Sequence, residues 1–277
     1  MYEGSESKNW SAAVDFAFIP AQSGQARPGM VQYAREMGER GAADVTGGIR
    51  LYALDVRALQ DEAVFARALS CALPARREKI GALQMAEDRR RSLGAHLLLA
   101  WALKQEGIDI ARERFGTNEK GKPVCLSRTD LKFNLSHAGC TALCAVSPAP
   151  VGCDAEKIGR VTPALARRCF SPEEIRLFGG EKDDTCLCRL WTLKESVLKC
   201  AGTGLAYPMR EVKLALGPEG PALLSGPEKG AFDLYEFAFL DCRIALCAKR
   251  TAKMRQTAAF SVSALANILE KCHNITI

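Results

Sequence analysis

Only three histidines accompany twelve cysteines in this chain of 277 residues, and no two cysteines stand in a C-x-x-C spacing. That excludes the common zinc frameworks, so the cysteines read as reduced thiols that pack as small hydrophobes. No apolar run approaches the roughly 20 residues of a membrane span. No basic start followed by an apolar stretch and a small-residue cleavage site opens the chain, so a soluble, cytoplasmic protein is expected. Neither sign of charge dominates: Lys plus Arg number 38 against 32 Asp plus Glu, a net +6. Attraction to phosphates must therefore come from local clusters. The sequence also lacks G-x-x-x-x-G-K-[ST], a G-x-G-x-x-G after a strand and a G-x-S-x-G elbow, which disfavours the common nucleotide and hydrolase schemes. With 25% charged and 48% hydrophobic residues, what is there suffices for one large or two modest globular domains.

Residues 1–46 show no sustained hydrophobic period and read as an N-terminal extension, with disorder favoured. The body begins with the alternating segment Ile49 to Val56, a strand, followed by helical patterns from Leu59 to Cys71 and from Pro74 to Gln105, the latter interrupted near Gly94. Strands are predicted from Leu131 to Ser136, Thr141 to Ser147 and Val151 to Glu156. Ser171-Pro172-Glu173-Glu174 has the signature of a helix start. A helix from Asp184 to Ala201 should end at Gly202 and Gly204. Further strands are expected at Glu211 to Leu216, Phe232 to Leu240 and Arg243 to Ala248, then a helix near Ser261 to Lys271. Strands and helices mix without regular βαβ alternation, which favours α+β.

In Val151-Gly152-Cys153-Asp154-Ala155-Glu156 the two-residue period sends Val151, Cys153 and Ala155 to one face and Gly152, Asp154 and Glu156 to the other. Two carboxylates with Cα atoms roughly 6.5 to 7 Å apart can converge on a hard cation such as Mg²⁺, although D-x-E is more often a solvated strand face. On the helix, Leu187, Leu190, Leu193 and Val197 share one arc. Glu195 and Lys199 form an i,i+4 pair on an adjoining stripe, commonly a surface ion pair. Lys194 points close to the apolar arc, so its ammonium either snorkels past the core or meets an anion. Phe133 to Gly139 ends in a Ser136-His137 pair before a glycine, which places two phosphate-capable donors at a strand end. A lone histidine is, even so, more often structural.

The order GKP (Gly121 to Pro123), FNLSHAG (Phe133 to Gly139), VGCDAEKI (Val151 to Ile158), FSPEE (Phe170 to Glu174) and WTLKESVLKCAGTGL (Trp191 to Leu205) closely resembles the Sfp-type 4'-phosphopantetheinyl transferases. The likeness covers roughly residues 47 to 250. It implies a pseudo-dimer of two similar α+β halves, 47–148 on the nucleotide side and 149–277 carrying the metal and catalytic residues. It implies a magnesium-dependent enzyme that moves 4'-phosphopantetheine from coenzyme A to a serine of an apo acyl, peptidyl or aryl carrier protein, releasing adenosine 3',5'-bisphosphate. By the same resemblance Asp154, Glu156 and Glu195 match the metal-site acids, and Glu195, Lys199 and His137 the catalytic set. Ser136 and His137 match pyrophosphate-contacting residues, Lys194 and Lys199 the lysines near the phosphates, and Lys122 an adenine-proximal basic position. Arg76, Lys79 and Arg91 match the clasp on the 3'-phosphate. A monomer is expected, with neither nucleic acid nor membrane as partner.

Departures are Ala155, where larger aliphatics are common, and Thr203, where lysine is frequent. The competing reading is a non-catalytic binder of coenzyme A or of the carrier. Nucleic-acid binding through Arg76 to Arg91 is disfavoured, because that stretch nets only about +3 and has no aromatic residue.

Overall fold

The computed structural model describes residues 48–217 and 220–260, together with two short strands, β1 (Ala13–Val14) and β2 (Ala17–Phe18). The rest of the N-terminal extension and the expected helix near 261–271 lie outside the described residues. The first half runs β3 (Gly48–Asp55), α1 (Glu62–Ser70), α2 (Pro74–Gly81), α3 (Ala86–Gln105), a small hairpin of β4 (Phe115–Thr117) and β5 (Pro123–Cys125), then β6 (Lys132–Ala138) and β7 (Thr141–Ser147). The second half runs β8 (Val151–Lys157), α4 (Pro163–Cys169), α5 (Pro172–Phe178), α6 (Asp184–Ala201), the pair β9 (Lys213–Gly217) and β10 (Gly220–Ser225), then β11 (Phe232–Phe239) and β12 (Cys242–Lys249).

The halves repeat one plan. In the first sheet β3 pairs with β7 and β7 with β6; in the second β8 pairs with β12 and β12 with β11, all antiparallel. The fold is α+β, built as a pseudo-dimer. One strand breaks the symmetry. The strand β13 (Lys253–Phe260) crosses back and pairs in parallel with β3, with β1 on its far side.

Strand alternation explains the layers. Ile49, Leu51 and Ala53 of β3 meet Val151, Cys153 and Ala155 of β8 in a core between the sheets, together with Leu143, Ala145, Ile244 and Leu246. The opposite face of β3 turns Tyr52 and Leu54 toward α3, where Tyr52 meets Trp101 edge-on with centroids 4.9 Å apart. Strands buried on both faces read as nearly continuous apolar runs, so the polar residues that interrupt the edge strands β6 and β8 are the exceptions to explain.

α6 begins at Asp183, whose side chain accepts from the Thr185 and Cys186 amides, and ends at Gly202 with φ +71°. Its arc of Leu187, Leu190, Leu193 and Val197 packs into the second half's core. The helix lies on β8 backbone to backbone: a Cβ added to Gly152 would stand 2.2 Å from the Ser196 carbonyl oxygen and from the Cys200 amide nitrogen.

The expected interruption at Gly94 is corrected. The break falls between α2 and α3 at residues 82–85, and Gly94 sits inside α3. A Cβ there would come 2.8 Å from the Val56 side chain, so the glycine marks close helix-on-sheet packing. Among the described residues no helix is long and apolar enough to cross a membrane, and the cysteines are free thiols, most of them buried.

Candidate active site

The polar residues of β6, β8 and α6 meet at one place. β8 is the edge of its sheet, and its outward amides need partners. Asn134 Oδ1 accepts from the Cys153 amide at 2.8 Å, and Ser136 Oγ accepts from the Ala155 amide at 3.2 Å. Ser136 in turn donates to Asp154 Oδ1 at 2.9 Å. Lys199 Nζ reaches across from α6 to the same oxygen at 2.5 Å and to Ser136 Oγ at 3.1 Å. Burial works against the Lys199 charge, but the adjacent Asp154 carboxylate wins and its pKa stands above the ordinary lysine value.

Asp154 Oδ2, also buried, has no partner among the described residues. Glu195 and Glu156 share the field of this cluster. Burial, then the Asp154 carboxylate, push the Glu195 carboxyl above its ordinary range, with Lys199 opposing and Glu156 adding. Burial raises Glu156 too; the Lys157 amide, at 2.9 Å, opposes and Asp154 adds. Three carboxylates thus feel one another's charge. Among the described residues no three His, Cys, Asp or Glu side chains form a closed metal cluster; a lysine ammonium stands at the centre instead. The all-oxygen donor set, the orphan oxygen of Asp154 and the mutual repulsion are nevertheless what a hard divalent cation relieves.

At the outer end of β6 His137 is exposed. Crowding strips enough water from its ring, with the Arg91 cation and more distantly Lys199 adding, to hold the imidazole below its ordinary value. Arg91 donates to the Gly139 carbonyl at 3.0 Å and to Asp88 Oδ1 at 2.7 Å. Arg76 is turned onto α3, donating to Ser92 Oγ at 2.9 Å, while Lys79 is exposed on α2.

Two expected ligand lysines require correction. Lys194 is fully buried: its ammonium lies 2.9 Å from Glu174 Oε2, also donates to the Cys169 and Met209 carbonyls, and stands 5.2 Å from the Phe170 ring centroid. Lys122 Nζ donates to the carbonyls of Val151 (2.9 Å), Lys199 (2.5 Å) and Cys200 (3.5 Å). An ammonium has three donors, and in both residues all three are used, so neither has one left for a nucleotide or a phosphate.

The chain also matches known proteins. Residues 60–149 match the family profile described as 4'-phosphopantetheinyl transferase, N-terminal, and residues 150–247 that of the 4'-phosphopantetheinyl transferase superfamily. A 4'-phosphopantetheinyl transferase of Bacillus subtilis is 36% identical over 157 residues, covering 55% of this chain and 70% of the relative. The chain belongs to the 4'-phosphopantetheinyl transferase family. The Sfp enzyme of Bacillus subtilis strain 168 is 32% identical, over 58% of this chain and 74% of its own. The L-aminoadipate-semialdehyde dehydrogenase-phosphopantetheinyl transferase of Pongo abelii is 28% identical, over 52% and 53%.

Within this transferase, sequence reasoning passed over several residues that shape the site. Asn134 closes the β8 edge, although its place in the alternation of FNLSHAG was a usable signal. Glu174, legible as a capping residue, also neutralises Lys194. Arg57, Arg90 and Lys157 line a cavity of about 160 Å³ beside Arg91 and the Gly139-Cys140 turn. Arg57 is paired there with Asp55 and Lys157 with Asp241; no local pattern announced the recess.

Proposed function

We propose that this enzyme transfers 4'-phosphopantetheine from coenzyme A to a serine of an apo carrier protein, releasing adenosine 3',5'-bisphosphate, with Mg²⁺ as its metal and a single chain as the working unit. The observation that carries the reading is the junction of Ser136, Asp154 and Lys199, with Glu156 and Glu195 in its field, at the meeting of both halves. Family membership supplies the class of reaction.

Asp154, Glu156 and Glu195 would hold the metal, and Mg²⁺ bound there supplies charge neutralisation for a diphosphate. The remaining chemistry falls to the chain itself. Glu195, as an ionised carboxylate, takes the proton of the carrier serine, directly or through water. The serine oxygen bonds to the phosphorus that bears the pantetheine arm. The bond from that phosphorus to the bridging oxygen breaks, and its electron pair leaves on the nucleotide phosphate. Lys199 places a persistent positive charge where that leaving group gathers electrons. His137 offers a donor to a phosphate oxygen, Ser136 steadies the Asp154 carboxylate with its one hydroxyl proton, and Arg91 lies beside His137 as a cationic anchor for the 3'-phosphate.

Incubating the protein with coenzyme A, Mg²⁺ and a panel of apo acyl, peptidyl and aryl carriers, read by intact mass, tests the proposal. A mass gain of one phosphopantetheine on a carrier serine, abolished by chelation, is the expected result. Coenzyme A binding without mass gain on any carrier would make the protein a non-catalytic binder.

A further inference from the structure

We propose that Lys122 is a positioning residue, whose buried ammonium fixes the last turn of α6 against the start of β8 and so sets the meeting of Lys199 with Asp154. The proposal rests on the reading of Lys199 and Asp154 given above.

Lys122 comes from the β4–β5 hairpin of the first half, yet all its acceptors belong to the second. Val151 supplies one carbonyl from the first residue of β8; Lys199 and Cys200 supply two from the end of α6. The last carbonyls of a helix have no partner within it and carry the negative end of its dipole. A lysine ammonium there satisfies both needs, and burial holds its pKa below the ordinary lysine value.

The contact sits where the two elements approach most closely. Gly152 follows Val151, and the absence of its Cβ admits the backbone of Ser196 and Cys200. Without Lys122, that seam joins an unneutralised helix end to a glycine with no side chain to hold it. Two residues beyond Gly152 lies Asp154, and the helix residue whose carbonyl Lys122 grips is Lys199 itself. The hairpin is braced to suit: Asn118 Oδ1 accepts from the Lys122 amide at 2.8 Å, and Asn118 Nδ2 donates to the Gly202 carbonyl at 3.4 Å. The first half thereby holds the angle at which the second half presents its reactive lysine.

The test uses the full chain with Lys122→Met, which keeps the bulk and removes the donors. The expected result is a fall in kcat of at least about tenfold, a Kd for coenzyme A within about twofold of the parent, and amide exchange at residues 197–202 accelerated by about tenfold or more. A tenfold weaker Kd with kcat unchanged would overturn the proposal, because the ammonium would then be a coenzyme A ligand. A lower melting temperature with kcat unchanged would overturn it too, leaving Lys122 a stabilising cap. If Lys122→Met does not fold, Asn118→Ala decides: a kcat loss of about threefold at unchanged coenzyme A affinity supports the proposal, and unchanged kcat overturns it. If the parent protein transfers nothing to any carrier, the functional reading fails separately. Exchange then decides alone: acceleration confined to 197–202 in the variant that folds supports the clamp, and unchanged or uniform exchange overturns it.

Discussion

Lys199 of α6 and Asp154 of β8 face each other with Nζ 2.5 Å from Oδ1, the lysine side chain 27% exposed and the aspartate 7%. The contact joins the helix that carries Glu195 to the strand that carries Glu156. Replacing Asp154 by Asn leaves a largely buried ammonium without its counter-charge. We expect a stability loss of about 1–3 kcal/mol, below the full cost of a buried pair because Lys199 keeps some water. Transfer should be lost, and the Lys199 amine pKa should fall, since Asp154 is what raises it. Lysine side-chain NMR across pH checks this; an unmoved titration would count against the pairing.

Glu195→Gln should cut transfer by about 10²-fold or more while coenzyme A still binds. Its effect on stability has the opposite sign. A carboxyl raised on folding contributes stability that is present below the ordinary glutamate value and lost as pH rises through the raised one. At pH 7, without ligands, the variant should therefore melt at or above the parent temperature, and the difference should close toward pH 4. Melting curves at the two pH values decide it; a variant less stable at pH 7 would contradict the crowding of the three acids.

The Lys194 variant separates a structural lysine from a phosphate ligand. Lys194→Met breaks a fully buried pair and should cost about 3–5 kcal/mol, with the affinity of the remaining folded protein for coenzyme A unchanged. On the other side of the pair, burial raises Glu174, but the Ser171 amide and Lys194 more than offset it and the carboxyl stands below its ordinary range. That stability is present above the ordinary glutamate value and is lost as pH falls through the depressed one. Calorimetry, with coenzyme A titrated into the folded variant, distinguishes the roles: a stable variant that has lost coenzyme A affinity would restore the phosphate assignment.

Gly152→Ala should cost about 3 kcal/mol or more, at the upper end of overpacking, because the added carbon meets backbone rather than a yielding side chain. Transfer should fall further than stability alone explains, since the strand and helix that move apart carry Asp154 and Lys199. Denaturant unfolding paired with intact-mass assays measures both, and a tolerated alanine would show that the seam has slack.

Local patterns reached the elements but not the contacts between them. The period of β8 placed Asp154 and Glu156 on one face, and the apolar arc with terminal glycines bounded α6 at both ends. The Ser171 capping box formed with both its hydrogen bonds. Lys194 was misassigned although its direction was read correctly, because its partner Glu174 lies twenty residues upstream and their meeting is tertiary. Lys122 was misassigned for another reason: its acceptors are backbone carbonyls, which every residue has and no sequence pattern marks. The parallel pairing of β13 with β3 joins segments as distant in sequence as Gly48 and Lys253 and left no local trace either.

That last pairing has a practical corollary. Severing the polypeptide in the loop between β7 and β8 would not yield two self-sufficient pieces, since the leading fragment would leave a β3 border open that the trailing fragment normally covers. Reconstitution from separately expressed parts would need residues 253–260 grafted onto the leading one, and the duplicated plan thus behaves mechanically as one interlocked body.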